Sequence, residues 1–525
     1  MVASVCAVVG AAPSASAHAE LVSSVPADGA NVRTLPSTVR LTFSETVGTP
    51  AFVTLRTPGG TDVASGRART RDAAVFQKVD PSAGPGRYRL SYQVTSADGH
   101  SISGTLHFTV HGSGAAGSDG GSTSDAGTLP ATTSHASGGG LTSSQWTLLV
   151  GTLAVWLLAL GITYPAGLET VGGGRERTVL TSVEGPGPTT GVRSAITPWL
   201  AGSTVVAVVV LVMVLSAGGG APTEAPPGLP DAGQVTGWGL PVVRLLVDLA
   251  GFATVGLALV GSRVIHPGSA TPDSALPAAG HVAALWAGLT MAQALLHVSE
   301  VRATPLFTTD LSSTGETVAA LGRYPETQAM LVQAALATSV VLLACLPQRV
   351  WVCALALVVS LVAFVPQALV GHSATGGMFA PASLVVHVLA ASLWVGGLAA
   401  MAWLSLRRRT PLADVLPRYS TLALCCVVVL AVSGVLNAGI RIDSPASLVG
   451  TSYGLVVAAK VAALVVLAGF GWLHRRNTVD RLRGRGRRRT AGTPAEFAAL
   501  CAIELAVMLA TVALAVALSR TPPPG

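Results

Sequence analysis

The feature that most constrains this chain is a succession of apolar runs that begins at Gln145 and continues to Leu518. Ten can be placed, at residues 145–165, 196–217, 240–262, 279–299, 327–347, 350–370, 381–404, 418–438, 453–473 and 497–518. A run of about 20 apolar residues crosses hydrocarbon as a helix, because there every backbone N–H and C=O must find its partner inside the segment. The runs predict an all-α polytopic membrane domain of about ten helices over 145–518, followed by a short tail at 519–525. Composition agrees: 50% of the 525 residues are hydrophobic and 11% are charged, against about a quarter charged in soluble domains.

A net charge of +7 would point to nucleic acid in a soluble protein, but here the surplus lies in arginines beside the apolar runs, and no nucleic-acid partner is expected. Alternate loops carry Arg175, Arg177, Arg193, Arg263, Arg349, Arg407, Arg408, Arg409, Arg418 and the eight arginines from Arg475 to Arg489; the other loops and the tail carry only Arg302, Arg323, Arg441 and Arg520. Cytoplasmic loops concentrate Lys and Arg. This predicts a multi-pass protein of the cell membrane with the segment before residue 145 on the extracellular side. The 327–370 hairpin has only Leu346-Pro347-Gln348 for its turn, and the polar 300–326 stretch has room for an additional interfacial helix.

The first 144 residues are built differently. An apolar stretch, Val2 to Ala12, precedes Ala15-Ser16-Ala17, a small-x-small cleavage signature, so residues 1–17 read as a signal peptide, although the usual basic start is missing. From His18 to His111 short alternating runs (Val39 to Phe43, Tyr88 to Tyr92, Thr105 to Val110) are separated by Pro-Gly, Gly-Gly and Asp-Gly turns. That pattern predicts a small all-β sandwich. Residues 112–144 are rich in Gly, Ser and Thr without apolar periodicity, the composition of a flexible tether. Five cysteines, Cys345, Cys353, Cys425, Cys426 and Cys501, fall in the membrane half, and the exported domain shows no disulfide framework.

Cleavage after Ala17 would leave His18 with a free amine and an imidazole that can chelate one metal together, a pair suited to Cu(II). Ser96-Ala97-Asp98-Gly99-His100 sets a carboxylate and an imidazole two residues apart in a Gly-containing turn. Each motif alone also reads as an ordinary surface histidine or turn. In the membrane half His297, His372 and His387 fall toward the extracellular ends of their spans, and Met378 adds a soft ligand in the same loop as His372. These four are candidates for admitting copper, although histidines at span ends also simply hydrogen-bond at the interface. Arg244 and Asp248 share a helix face, and Lys460 falls at a similar depth. Intramembrane charges are expensive enough to imply pairing or a pathway.

Residues 18–111 resemble the CopC family of periplasmic copper-binding proteins. The resemblance rests on His18-Ala19-Glu20-Leu21, Ser24-Val25-Pro26-Ala27-Asp28-Gly29, Leu41-Thr42-Phe43-Ser44-Glu45, Gly86-Arg87-Tyr88 and Ser96 through Gly104. It implies an Ig- or cupredoxin-like sandwich in which His18, Asp98 and His100 bind Cu(II), with Glu45 at an acidic position near the metal. The methionine-rich Cu(I) site of some members is not expected, since no Met follows Met1 in this domain. The membrane half resembles the CopD family from about 380 onward, through Val386 to Leu398, Arg418 to Ala423, Gly434 to Ala438, and Thr451 to Gly454 with Lys460. The whole layout resembles the YcnJ-type copper-acquisition family.

The expected function is copper handling at the cell envelope: Cu(II) is bound outside and copper passes to the membrane domain, for import or resistance. There is no Gly-x-x-x-x-Gly-Lys-Ser/Thr loop for nucleotide, and no enzymatic activity is expected. A different reading is an electron-transfer protein in which intramembrane histidines ligate haem. If His18 supplies its amine, exported protein must begin there; N-terminal sequencing or intact mass should show His18 first, and a retained upstream segment would remove the chelating amine.

Overall fold

The computed structural model describes residues 20–96, 101–112, 191–262, 264, 275–306, 311–370, 379–405, 412–439, 450–482 and 494–521. The signal peptide, most of the tether and the first apolar run lie outside them.

Eight strands form the N-terminal sandwich: β1 Leu21–Val25, β2 Asn31–Val32, β3 Thr38–Phe43, β4 Val47–Arg56, β5 Ala64–Arg71, β6 Ala74–Val79, β7 Gly86–Ser96 and β8 Ser101–Val110. One sheet has the order β1-β3-β6-β5 and the other β2-β8-β7-β4. The alternation read from the sequence is the cause. In β3 Val39, Leu41 and Phe43 point inward, and in β7 Tyr88, Leu90, Tyr92 and Val94 do, so each sheet offers one apolar face. Tyr88 stacks on Phe108 and donates its hydroxyl to Gly84 O at 2.6 Å.

The helices that follow are α1 Gly191–Gly218, α2 Gly233–Gly261, α3 Ala275–Arg302, α4 Leu311–Ala320, α5 Pro325–Ala344, α6 Val350–Val362, α7 Val365–Ala368, α8 Phe379–Ser405, α9 Leu412–Gly439, α10 Ser452–Leu482 and α11 Pro494–Leu518. Among the described residues eight helical segments are long and apolar enough to cross a membrane, with Gly202–Gly218 a shorter apolar one. Each expected run from 196 onward has its helix, and the 350–370 run is the α6–α7 pair. The polar 300–326 stretch does hold an extra helix, α4.

Two contacts organise the bundle. At the crossing of α2 and α8 a Cβ on Gly256 would run into the carbonyl of Gly396, and one on Gly396 into that of Phe252. The two backbones touch, which only glycine permits; small residues serve this purpose in membranes, where lipid offers no hydrophobic drive for helices to associate. At one end of the bundle Arg520, just past α11, pairs with Glu300 of α3 at 2.6 Å, with only 15% and 18% of the two side chains exposed. Gly220, just past α1, lies against the Arg520 carbonyl. The ends of α1, α3 and α11 thus share one face of the bundle, the Arg520 face. α11 is also the main packing partner of α1.

The glycine crossing generates a stability prediction. Gly396→Ala places a methyl inside the α2 backbone, where overpacking costs about 1–3 kcal/mol or more, and should lower the unfolding midpoint in detergent. Gly288→Ala, whose Cβ meets nothing within 4 Å, should leave it unchanged or raise it slightly.

Candidate metal centres

Two regions bear on metal, one in each half of the chain. In the sandwich, His18, Asp98 and His100 lie outside the described residues, while the segments that flank them are fixed. Glu20 N donates to Ser44 Oγ at 2.9 Å and Ser44 N donates to Glu20 O at 2.8 Å, which fastens the N-terminal segment beside Glu45. Val47, two residues beyond Glu45, is in register with Ser96, and Thr95 is in register with Ser101. The β7–β8 hairpin therefore brings the two sides of the 97–100 turn together at the same end of the sandwich as Glu20 and Glu45.

That hairpin has one tight position. Tyr92 lies opposite Gly104, and a Cβ there would strike the Tyr92 ring and hydroxyl. The ring packs edge-on to Phe43 at 5.7 Å, and burial pushes its phenol above the usual range. Gly104 thus lets a buried tyrosine sit under the strand that leaves the turn. Gly104 and Tyr92 each fall in a segment singled out in the sequence, but their contact did not show there, because the Tyr-Gly pairing is made across strands.

In the membrane half His372 and Met378 also lie outside the described residues. His387 is half-buried on α8, with its Nδ1 2.9 Å from Ser433 Oγ of α9. Ser433 Oγ donates its single proton to Val429 O at 2.6 Å, so towards His387 it can only accept. Nδ1 therefore carries the proton and Nε2 keeps its lone pair. Ser383 Oγ reaches Ser433 O at 3.5 Å, the ring lies 3.9 Å from the position of a Cβ on Gly434, and Lys460 of α10 is within electrostatic reach. An oriented imidazole whose other nitrogen is fixed by hydrogen bonding is how proteins commonly present a metal ligand.

His297 is buried on α3, 8% exposed, and is separated from α8 by α2, which packs against both helices. Among the described residues no three His, Cys, Asp or Glu side chains converge on a metal position. Cys345 and Cys425 are exposed, whereas Cys353, Cys426 and Cys501 are buried.

Tyr419 of α9 donates to Trp394 O at 2.7 Å and lies within electrostatic reach of Glu504, Cys501 and Cys426. Glu504, a buried carboxyl, was readable as the one acid within the last apolar run but was not singled out. Ser433 had no sequence signal, since its role appears only when α9 is laid on α8.

Comparison with known proteins follows this division. The CopC domain profile matches residues 21–111 and that of Copper resistance protein D matches 413–518. Among solved structures, CopC from Methylosinus trichosporium OB3b is 24% identical, with 18% of this chain and 96% of that one covered, at a TM-score of 0.18. PcoC, a methionine-rich copper resistance protein from Escherichia coli, is 25% identical over 18% of this chain and 100% of its own, at a TM-score of 0.17. No curated protein matches the chain.

The Gly104 contact yields a test of the turn's support. Gly104→Val should displace Tyr92 and with it the strand leaving the turn, and should weaken Cu(II) binding by the full-length protein, read by titration. Gly60→Ala, in a turn at φ +84° with nothing within 4 Å, carries backbone strain away from that end and should leave Cu(II) affinity as it is.

Proposed function

We propose that this chain, which joins a CopC domain to a CopD-family membrane segment, captures Cu(II) outside the cell and passes copper to its own membrane domain for import. The observation that carries the reading is the presence of both copper-resistance modules in one polypeptide, joined through a stretch that includes the Gly/Ser/Thr-rich tether. A donor held to its acceptor by a linker of about 30 residues works at high effective concentration without a separate encounter.

On this reading the Cu(II) ligands are the amine and ring of His18, the ring of His100 and a carboxylate oxygen of Asp98, with Glu45 beside them. Covalent reach supports it: His18 is two residues from Glu20, a span of at most about 7 Å, and Glu20 is bonded to Ser44 at the end of the sandwich that also holds Ser96 and Ser101. Cu(II) affinity should fall as pH drops through roughly 6, because neutral imidazole is the binding form.

The Arg520 face is the extracellular one in this reading, in keeping with the arginine bias. His387 receives copper through Nε2, and His372, Met378 and His297 are further ligands on the same side. The protein acts as a carrier rather than an enzyme. Radiocopper uptake at matched expression tests the series: His387→Ala should abolish uptake while Cu(II) binding by the exported domain is kept. Ser433→Ala, which frees the ring but spares the ligand, should weaken membrane copper affinity by about 10- to 100-fold, the usual effect of losing an outer hydrogen bond to a ligand. Wild-type uptake by the His387 variant would sink the serial model.

A further inference from the structure

A buried polar seam in the membrane domain shares with the copper ligands proposed above only His297, at its Arg520 end. On α3 Trp286, Thr290, Gln293 and His297 follow at intervals of four, three and four residues, which puts them on one helix face. Trp286 shows where that face points. Its ring meets Phe364, between α6 and α7, with centroids 5.1 Å apart, and Phe364 meets Phe252 of α2 at 5.5 Å. One turn nearer the Arg520 face, Gln367 of α7 donates its amide to Gln333 of α5. The face of α3 therefore looks onto amides on its Arg520 side and onto aromatic rings beneath them.

These groups are deep. Gln293 and Gln333 are 1% exposed and Trp286 and Thr290 0%. Gln293 Oε1 and Trp286 Nε1 have no hydrogen-bond partner among the described residues, which is costly in hydrocarbon. One of the two is an acceptor and the other a donor. A cation would satisfy the first and be repelled by the second, whereas water satisfies both.

Beneath the amides the packing is tight: a Cβ on Gly251 would come within 2.5 Å of Phe364 Cζ and 2.9 Å of Trp286. The rings close directly on the backbone of α2. Further along α2, Gly261 lies against Cys353 of α6, so Cys353 marks the far side of the closure.

We propose that this seam is a water-bearing route that enters from the Arg520 face between α3, α5 and α7 and stops at a closed constriction made by Trp286, Phe364 and Phe252. Amides solvate the route and apolar rings exclude water from what lies below, the arrangement by which hydrophobic constrictions gate a path.

Hydroxyl-radical footprinting tests it without any metal, so its failure and that of the copper reading are distinguishable. X-ray pulses make radicals from water where it stands, and mass spectrometry reads the side chains beside it. In the full-length protein in lipid nanodiscs, Trp286 should be modified several-fold faster than Trp394, which is buried at 6% exposure on α8. Gln293→Leu and Gln333→Leu, each removing an amide from the seam, should lower the Trp286 rate to that of Trp394. Cys353 should be protected in the wild type and become labelled in Phe364→Ala and in Gly251→Ala. A Trp286 rate no higher than that of Trp394, or one unchanged by both amide substitutions, overturns the water route. A Cys353 that is labelled in the wild type, or that stays protected in both constriction variants, overturns the gate.

Discussion

The backbone contact between α2 and α8 is the constraint from which the rest of the membrane domain follows. Gly256 and Gly396 let two helices approach until carbonyl meets Cα, and everything with chemical interest hangs from one or the other. α8 carries His387 and Trp394 and meets α9, where Ser433 and Tyr419 bond to them. α2 carries Gly251 and Phe252 on the side where the aromatic constriction closes. Widening the crossing by one methyl would move both assemblies at once, since close-packed interiors transmit strain rather than absorb it.

The two polar regions flanking this crossing are built on different principles. Around His387 a hydroxyl with its proton already committed fixes the tautomer of an imidazole, so the site owes its character to the direction of hydrogen bonds. Along α3 the two atoms left for water belong to an amide and an indole, neither of which holds a formal charge, and the character comes from which atoms face inward. The first arrangement suits a group that binds an ion and the second one that solvates a passage.

Much of this was legible in the sequence. Long apolar runs predicted the helices because length and apolarity suffice in hydrocarbon, and alternation predicted the sandwich because one face of each sheet must be apolar. The extra helix at Leu311–Ala320 was visible as a polar stretch with helical room. Less was legible of the sites. His387 could be named, yet not Ser433 or Ser383, since a serine in an apolar run looks like any small residue until a neighbouring helix is laid against it. Gln293 and Gln333 were missed for the same reason: their burial is a property of three helices together. The cross-strand fit of Tyr92 over Gly104 is likewise a matter of register, which local pattern leaves open.

The packing of α1 on α11 couples the beginning of the described bundle to its end. A chain threaded into the membrane from its N-terminus releases α1 long before α11 exists, so during synthesis α1 faces lipid or borrowed company while eight further spans are laid down. Among the described residues its chief neighbour is α11, and the Arg520–Glu300 pair forms only once Arg520 has emerged. Closure of this part of the bundle thus waits for α11, and until α11 is made the flank of α1 that it covers stays open.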